Sequence, residues 1–401
     1  MLNIEDKPAF DNRIALFRLG FRPFFLGASA FAAAAMLYWM GVVAFALPFT
    51  LPAIDAVAWH AHEMLFGYAA AVIAGFLLTA VMNWTGRQTL RGAPLALLFL
   101  LWLSARLLPF AGAALPLGLY ALVDGGFLLL LFLAVLQPVI KSRQWGQLGI
   151  VAKVLLLFCA DVVFYLGVFG VFGVLDNGVP LGLYSALYFI LALILVLARR
   201  VFPFFIEKGV GYPVTLHNRR WLDNTSLGLF TLLWLTDVVL DDRSASAILS
   251  LALFVLHGIR LRDWHTPGIW RKPLLWVLYL AYLWIILGFA LKAAEPLGIP
   301  AALAVHAWTV GGIGMVTIGM MARVGLAHTG RNVFEPPPLL RGMFLLMLAA
   351  SIVRVLGPLL GDGAYLLTIG LAQLLWIAAF GLFFQLYFPL LLRQRVDGRD
   401  G

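Results

Sequence analysis

Two histidines, His62 and His306, stand at matching places in two similar apolar stretches. Imidazole is a standard axial ligand of haem iron, so two such rings on facing helices could hold one haem. The alternative is a structural histidine, hydrogen-bonded between helices. Ionisable side chains inside a membrane segment are rare and face the bundle interior. Arg106 and Arg354 lie at the same depth on the segments that follow. Their guanidiniums could clamp two propionates by bidentate contacts. They could equally snorkel to the interface or pair with Glu63 or Asp124.

His60 precedes His62 by two residues, which on a helix turns the two rings to roughly opposite sides. His60 is therefore expected to meet a different element, and is a separate candidate metal ligand. Glu63 could orient a histidine from behind, as carboxylates behind metal ligands do, or pair with Arg106. His257 and His328 complete the candidate metal ligands, each with a structural or surface role as the alternative; His217 and His265 read as surface histidines. Glu63, Asp124 and Asp161 form a candidate proton relay, and Asp237 is a further intramembrane acid. Tyr68, Tyr165, Tyr184 and Tyr188 could extend a polar path. No phosphate-binding glycine loop, serine–histidine–aspartate arrangement or HExxH zinc motif occurs. The lone Cys159 excludes an internal disulfide and, with no Cys-x-x-Cys-His, covalent haem attachment.

The elements that must carry these residues follow from composition. Of 401 residues, 63% are hydrophobic and only 12% charged. A soluble domain carries about 25% charged residues, so bilayer is the expected solvent. The net charge of +9 is spread singly or in pairs between apolar runs. That pattern offers no basic face for nucleic acid. Apolar runs of about 20 residues read as membrane helices. Twelve are expected, at 21–47, 60–83, 93–111, 116–139, 148–173, 179–206, 221–240, 245–260, 273–293, 299–323, 339–360 and 363–391. The eighth is short and the seventh polar at its start. The first run is too long for a signal-peptide core of about 7–15 residues and reads as a retained helix.

With both termini inside, only Arg106, Arg243, Lys292 and Arg354 of the 28 basic residues fall in the outer half. Cytoplasmic loops gather Lys and Arg, so this alternation supports the helix count and orientation. The expected organisation is one integral membrane domain over 1–401. It comprises a cytoplasmic segment at 1–20, a twelve-helix bundle at 21–391 and a cytoplasmic tail at 392–401. Thr-Gly-Arg triplets ending at Arg87 and Arg331 are 244 residues apart, and the same offset carries His62 onto His306 and Gly75 onto Gly319. LSARLLPF and SIVRVLGP extend the match to Arg106 and Arg354. This is a parallel internal repeat of helices 1–4 and 9–12, and a weaker echo at ARRV makes three four-helix units a further reading. Glycines 67, 75, 311, 312, 314 and 319 either leave room for a flat macrocycle or allow close helix packing.

LFRLGFRPFFLGA, WHAHEMLFGYAAAVIAGFLLTA, NWTGR, ARRVFPFF and HAWTVGGIGMVTIGMMARV with HTGR resemble the NnrS family over nearly the whole chain. That resemblance implies an all-α polytopic protein of the bacterial inner membrane containing non-covalent haem b and copper. It also implies a role in nitric oxide response or tolerance of nitrosative stress, with nitric oxide or iron–nitrosyl species as ligands. A redox activity toward nitric oxide is one further reading, and the motifs do not decide whether turnover occurs. The repeat also resembles the four-helix arcs of the haem–copper oxidase catalytic subunit, in which helices 2 and 10 supply axial histidines. The departure is that the sixth and seventh segments lack the histidines of the oxidase copper centre, which argues against oxygen reduction by that mechanism. Two other functions fit twelve helices in parallel repeats. One is an anion or proton-coupled transporter. The other is an electron-transfer module served by quinol or a redox partner.

Overall fold

A computed structural model describes residues 14–49, 54–170 and 177–398. The outer parts of the expected terminal segments, 1–13 and 399–401, and the end of the fifth expected helix, 171–173, lie outside the described residues. Twelve long helices are described, and no strand accompanies them among those residues. They are α1 (Phe21–Phe45), α2 (Ala56–Thr85), α3 (Ala93–Leu107), α4 (Leu117–Lys141), α5 (Leu148–Val168) and α6 (Gly178–Gly209). The second half comprises α7 (Arg220–Trp234), α8 (Arg243–Asp263), α9 (Pro273–Ala293), α10 (Ala301–His328), α11 (Leu339–Leu356) and α12 (Asp362–Leu392). Eleven are long and apolar enough to cross a membrane. Helices close every backbone hydrogen bond internally, which is what a lipid environment demands.

The exception is α7, whose first turn carries Arg220, Asp223 and Asn224. Asp223 is neutralised there by Arg260 of α8 (2.8 Å) and Arg199 of α6 (2.9 Å). A polar helix start is thus tolerated against protein. The eighth helix is longer than the expected 245–260. Asp242 caps its N-terminus by accepting from the Ala245 amide (3.0 Å), and Arg260 is absorbed into the Asp223 pair. Similarly α2 begins four residues before its apolar run, where Asp55 accepts from the amides of Val57 and Ala58 (both 2.9 Å). A capping carboxylate of this kind satisfies otherwise orphaned helix amides.

Successive helices pack as antiparallel neighbours, and α1 returns against α12 to close the ring. Ala15 N–H donates to the Leu392 carbonyl (2.8 Å), and Arg22 donates to the carbonyls of Leu391 (2.8 Å) and Arg393 (2.7 Å). Both described chain ends therefore lie at one end of the bundle. The second helix of each quartet, α2, α6 and α10, occupies the centre, and these three touch one another. The contact of these three helices is the arrangement that three four-helix units would give.

The repeat extends into local geometry. Widened π turns interrupt α2 at Glu63–Ala69 and α10 at Ala307–Gly314, which the 244-residue offset superimposes. Such turns re-aim side chains and recur at functional sites. The glycines of these helices are filled in from neighbours. A Cβ at Gly75 would meet the Phe25 ring at 2.8 Å, one at Gly312 would meet Ile285 at 2.7 Å, and one at Gly319 would meet Val277 at 2.8 Å. They serve close helix packing, and the expected room for a macrocycle is not found at them. Between α1, α2, α6 and α10 lies an apolar crevice of about 70 Å³, lined by no histidine.

Candidate functional site

The site is organised by the start of α2, at the end of the bundle opposite the chain termini. A helix turns about 100° per residue. His60 and His62 therefore leave α2 in opposite directions, and each joins its own cluster.

His62 points toward α4 and α5 and is buried. Its Nδ1 faces Glu63 Oε1 at 3.4 Å, while Nε2 faces Asp161 Oδ1 at 3.1 Å and Asp124 Oδ2 at 3.5 Å. Arg106 of α3 braces the group, donating to Glu63 Oε2 at 2.6 Å and, through its other terminal nitrogen, to Asp124 Oδ1. Tyr165 donates to Asp124 Oδ2 at 3.4 Å. The rings of Phe66 and Phe164 pack on the imidazole at 4.8 and 4.5 Å. Arg106 is thus placed with the carboxylates, the pairing that was one of its three expected roles. Asp161 Oδ2 and Arg106 Nε are buried without a hydrogen-bond partner.

His60 turns the other way, toward α1 and α10. Trp39 stacks on its ring at 4.5 Å with 9° between planes. Its Nδ1 is buried with no hydrogen-bond partner. His306 and Arg354 lie within electrostatic reach of it. His306 donates Nδ1–H to the Ala302 carbonyl at 2.6 Å. A carbonyl only accepts, so the proton sits on Nδ1 and the Nε2 lone pair is free. Arg354 makes no ion pair among the described residues and acts on both histidines.

The structure thus groups the expected residues differently from their depth alone. His306 and Arg354 lie within electrostatic reach of His60, while His62 and Arg106 join Glu63, Asp124 and Asp161. His257 and His328 belong to neither group. His257 Nδ1 accepts from Tyr282 (2.6 Å) and Arg260 (3.0 Å), beside Phe289, toward the terminal end of α8. His328 ends α10 at that same terminal end, 5.6 Å from the Phe21 ring. Asp237 takes Lys292 at 2.5 Å and the Tyr188 hydroxyl at 2.7 Å. Tyr68 bonds to Thr317, linking α2 to α10 at the bundle centre.

Sequence reasoning missed Trp39, whose stacking on His60 has no spacing signal. It also missed the Arg260–Asp223–Arg199 network, which is signalled by a buried-looking charge at the start of α7.

A fit for imidazole-bound metals can be tested on this geometry. His60 and His306 each keep a ring nitrogen free of protein partners, and His306 is held from behind by a carbonyl, as metal-bound histidines commonly are. His62 faces carboxylates with both nitrogens, so it belongs to a mixed nitrogen and oxygen donor set and not to a pair of imidazoles. The donor set at His60 and His306 therefore fits haem iron or copper, both of which take imidazole.

Comparison with curated proteins finds no match. A family model described as NnrS protein matches residues 15–395, nearly the whole chain. With twelve helices among the described residues, eleven of them suited to crossing a membrane, the chain belongs to the NnrS family and is a membrane protein of the nitric oxide response.

Proposed function

We propose that this protein binds haem b and copper and acts in nitric oxide response or nitrosative-stress tolerance. It works from the bacterial inner membrane, with both termini cytoplasmic. The observation that carries the reading is a pair of histidines at the end of the bundle opposite the termini: His60, stacked on Trp39 with a buried unpartnered Nδ1, and His306, held from behind by the Ala302 carbonyl. That end is periplasmic if the basic residues sit inside, as the positive-inside rule directs.

His60 and His306 supply the imidazoles, with Trp39 fixing the plane of one ring and the Ala302 carbonyl the tautomer of the other. Arg354 offers a cation to a haem propionate or to a bound anion. Haem iron or copper, when bound, supplies a coordination position for nitric oxide and one-electron redox chemistry. The carboxylate cluster around His62 lies on the opposite side of α2 and serves as a relay or a structural brace. In this reading His60 replaces His62 as the partner of His306.

The test is pyridine haemochrome and copper analysis of the purified protein, followed by visible spectra with and without reductant and nitric oxide. The expected result is b-type haem, bound copper and a nitric oxide-dependent shift of the haem bands. Protein purified from haem- and copper-replete cells that contains neither group would refute the proposal.

A further inference from the structure

The buried cluster on the far side of α2 gathers three carboxylates around one histidine and one arginine. Glu63, Asp124 and Asp161 bring three carboxylates and Arg106 one guanidinium, all fully or nearly buried. Without a metal, protons on His62 and on a carboxylate must offset the excess of acids, because uncompensated charge is costly inside a membrane protein. With His62 neutral and all three carboxylates ionised the net charge is two negative units, which one divalent cation cancels.

We propose that His62, Asp124 and Asp161 form a binding site for one divalent metal cation of the zinc class, independent of the His60–His306 pair. One donor atom from each lies within 4.8 Å of the others. A tetrahedral ion with bonds of about 2.0–2.2 Å spaces its ligand atoms roughly 3.3–3.6 Å apart. His62 Nε2 stands 3.1 Å from Asp161 Oδ1 and 3.5 Å from Asp124 Oδ2, so the ligands are close to that spacing already.

The outer partners are also in place. A metal-bound histidine usually gives its other ring N–H to a carboxylate, and bound carboxylates are themselves hydrogen-bonded. Glu63 Oε1 faces His62 Nδ1, and Arg106 holds Asp124 Oδ1. Asp161 Oδ2 is buried and unpartnered, leaving a second oxygen for the ion. Nitrogen and oxygen donors with no sulfur suit zinc and its neighbours over copper(I). The three ligands come from α2, α4 and α5, so occupancy would also tie these helices together.

The experiment uses full-length protein in detergent, stripped with chelator, equilibrated with Zn2+, washed, and analysed for zinc, copper and iron together. One retained zinc per chain beyond the haem iron and copper is expected. Asp161→Asn should lose that zinc while keeping haem and copper. Glu63→Gln should weaken it by about 10- to 100-fold. His60→Ala should retain it, which separates this site from the haem and copper reading. Zinc-edge X-ray absorption of wild-type protein gives a measurement that needs no variant. It should show a nitrogen and oxygen shell with one imidazole and no sulfur. No retained zinc in wild type, retained zinc in Asp161→Asn, or a shell with two imidazoles would overturn the proposal. The first of these results would mean that protons, in place of a metal, balance the cluster.

Discussion

Arg106→Met removes the single guanidinium that holds Glu63 and Asp124. The side chains of all three are at most 4% exposed. Breaking a buried pair by deleting one partner typically costs about 3–5 kcal/mol, because the remaining charge is stranded. Two carboxylates are stranded here, yet the loss is bounded. One proton taken up by the pair replaces the lost guanidinium charge, which keeps the cost near that of a single broken pair. The expected destabilisation is therefore about 3–5 kcal/mol. At roughly 2 °C per kcal/mol for a large chain, the melting temperature should fall by about 6–10 °C. The assay is thermal unfolding of purified protein in detergent, at fixed pH and protein concentration. Adding Asp124→Asn to Arg106→Met removes one stranded charge and should recover part of the loss. A single variant melting within about 2 °C of wild type, or a double variant with no recovery, would refute the burial argument.

Two further substitutions probe the packing. Gly311→Val places a side chain against the Trp284 ring and should cost about 1–3 kcal/mol by overpacking. Gly118→Ala, which meets nothing within 4 Å, should melt with wild type as its control. Tyr188→Phe deletes a 2.7 Å hydrogen bond to the Asp237 carboxylate and should cost about 1.5–3 kcal/mol, measured in the same assay.

Much of the bundle was legible because lipid leaves a helix few options. Each span needs a continuous apolar run, and basic residues cluster at alternate ends. The errors fall where protein replaces lipid. The charged ends of α8 look like loop until Arg260 is seen against Asp223. The start of α2 was read late because the Asp55 cap lies outside the apolar run. The opposed directions of His60 and His62 followed directly from helix rotation. Their partners did not. An internal repeat fixes the depth of His62 and His306 but not the angle at which two helices face each other. The paired π turns that shape this region leave no mark on hydropathy. The readings of Arg106 could be separated only by geometry, since Glu63 and Asp124 come from different helices and converge on it through packing.

The central claim is that His60 and His306 supply the imidazoles for the bound haem or copper, and that His62 serves a separate cluster. Haem and copper content of purified His60→Ala, His306→Ala and His62→Ala proteins tests it most directly. The account predicts that His60→Ala and His306→Ala each lose haem or copper, while His62→Ala that remains monodisperse keeps both. Full loading in a folded His60→Ala, His306→Ala double variant, or loss confined to His62→Ala, would contradict it.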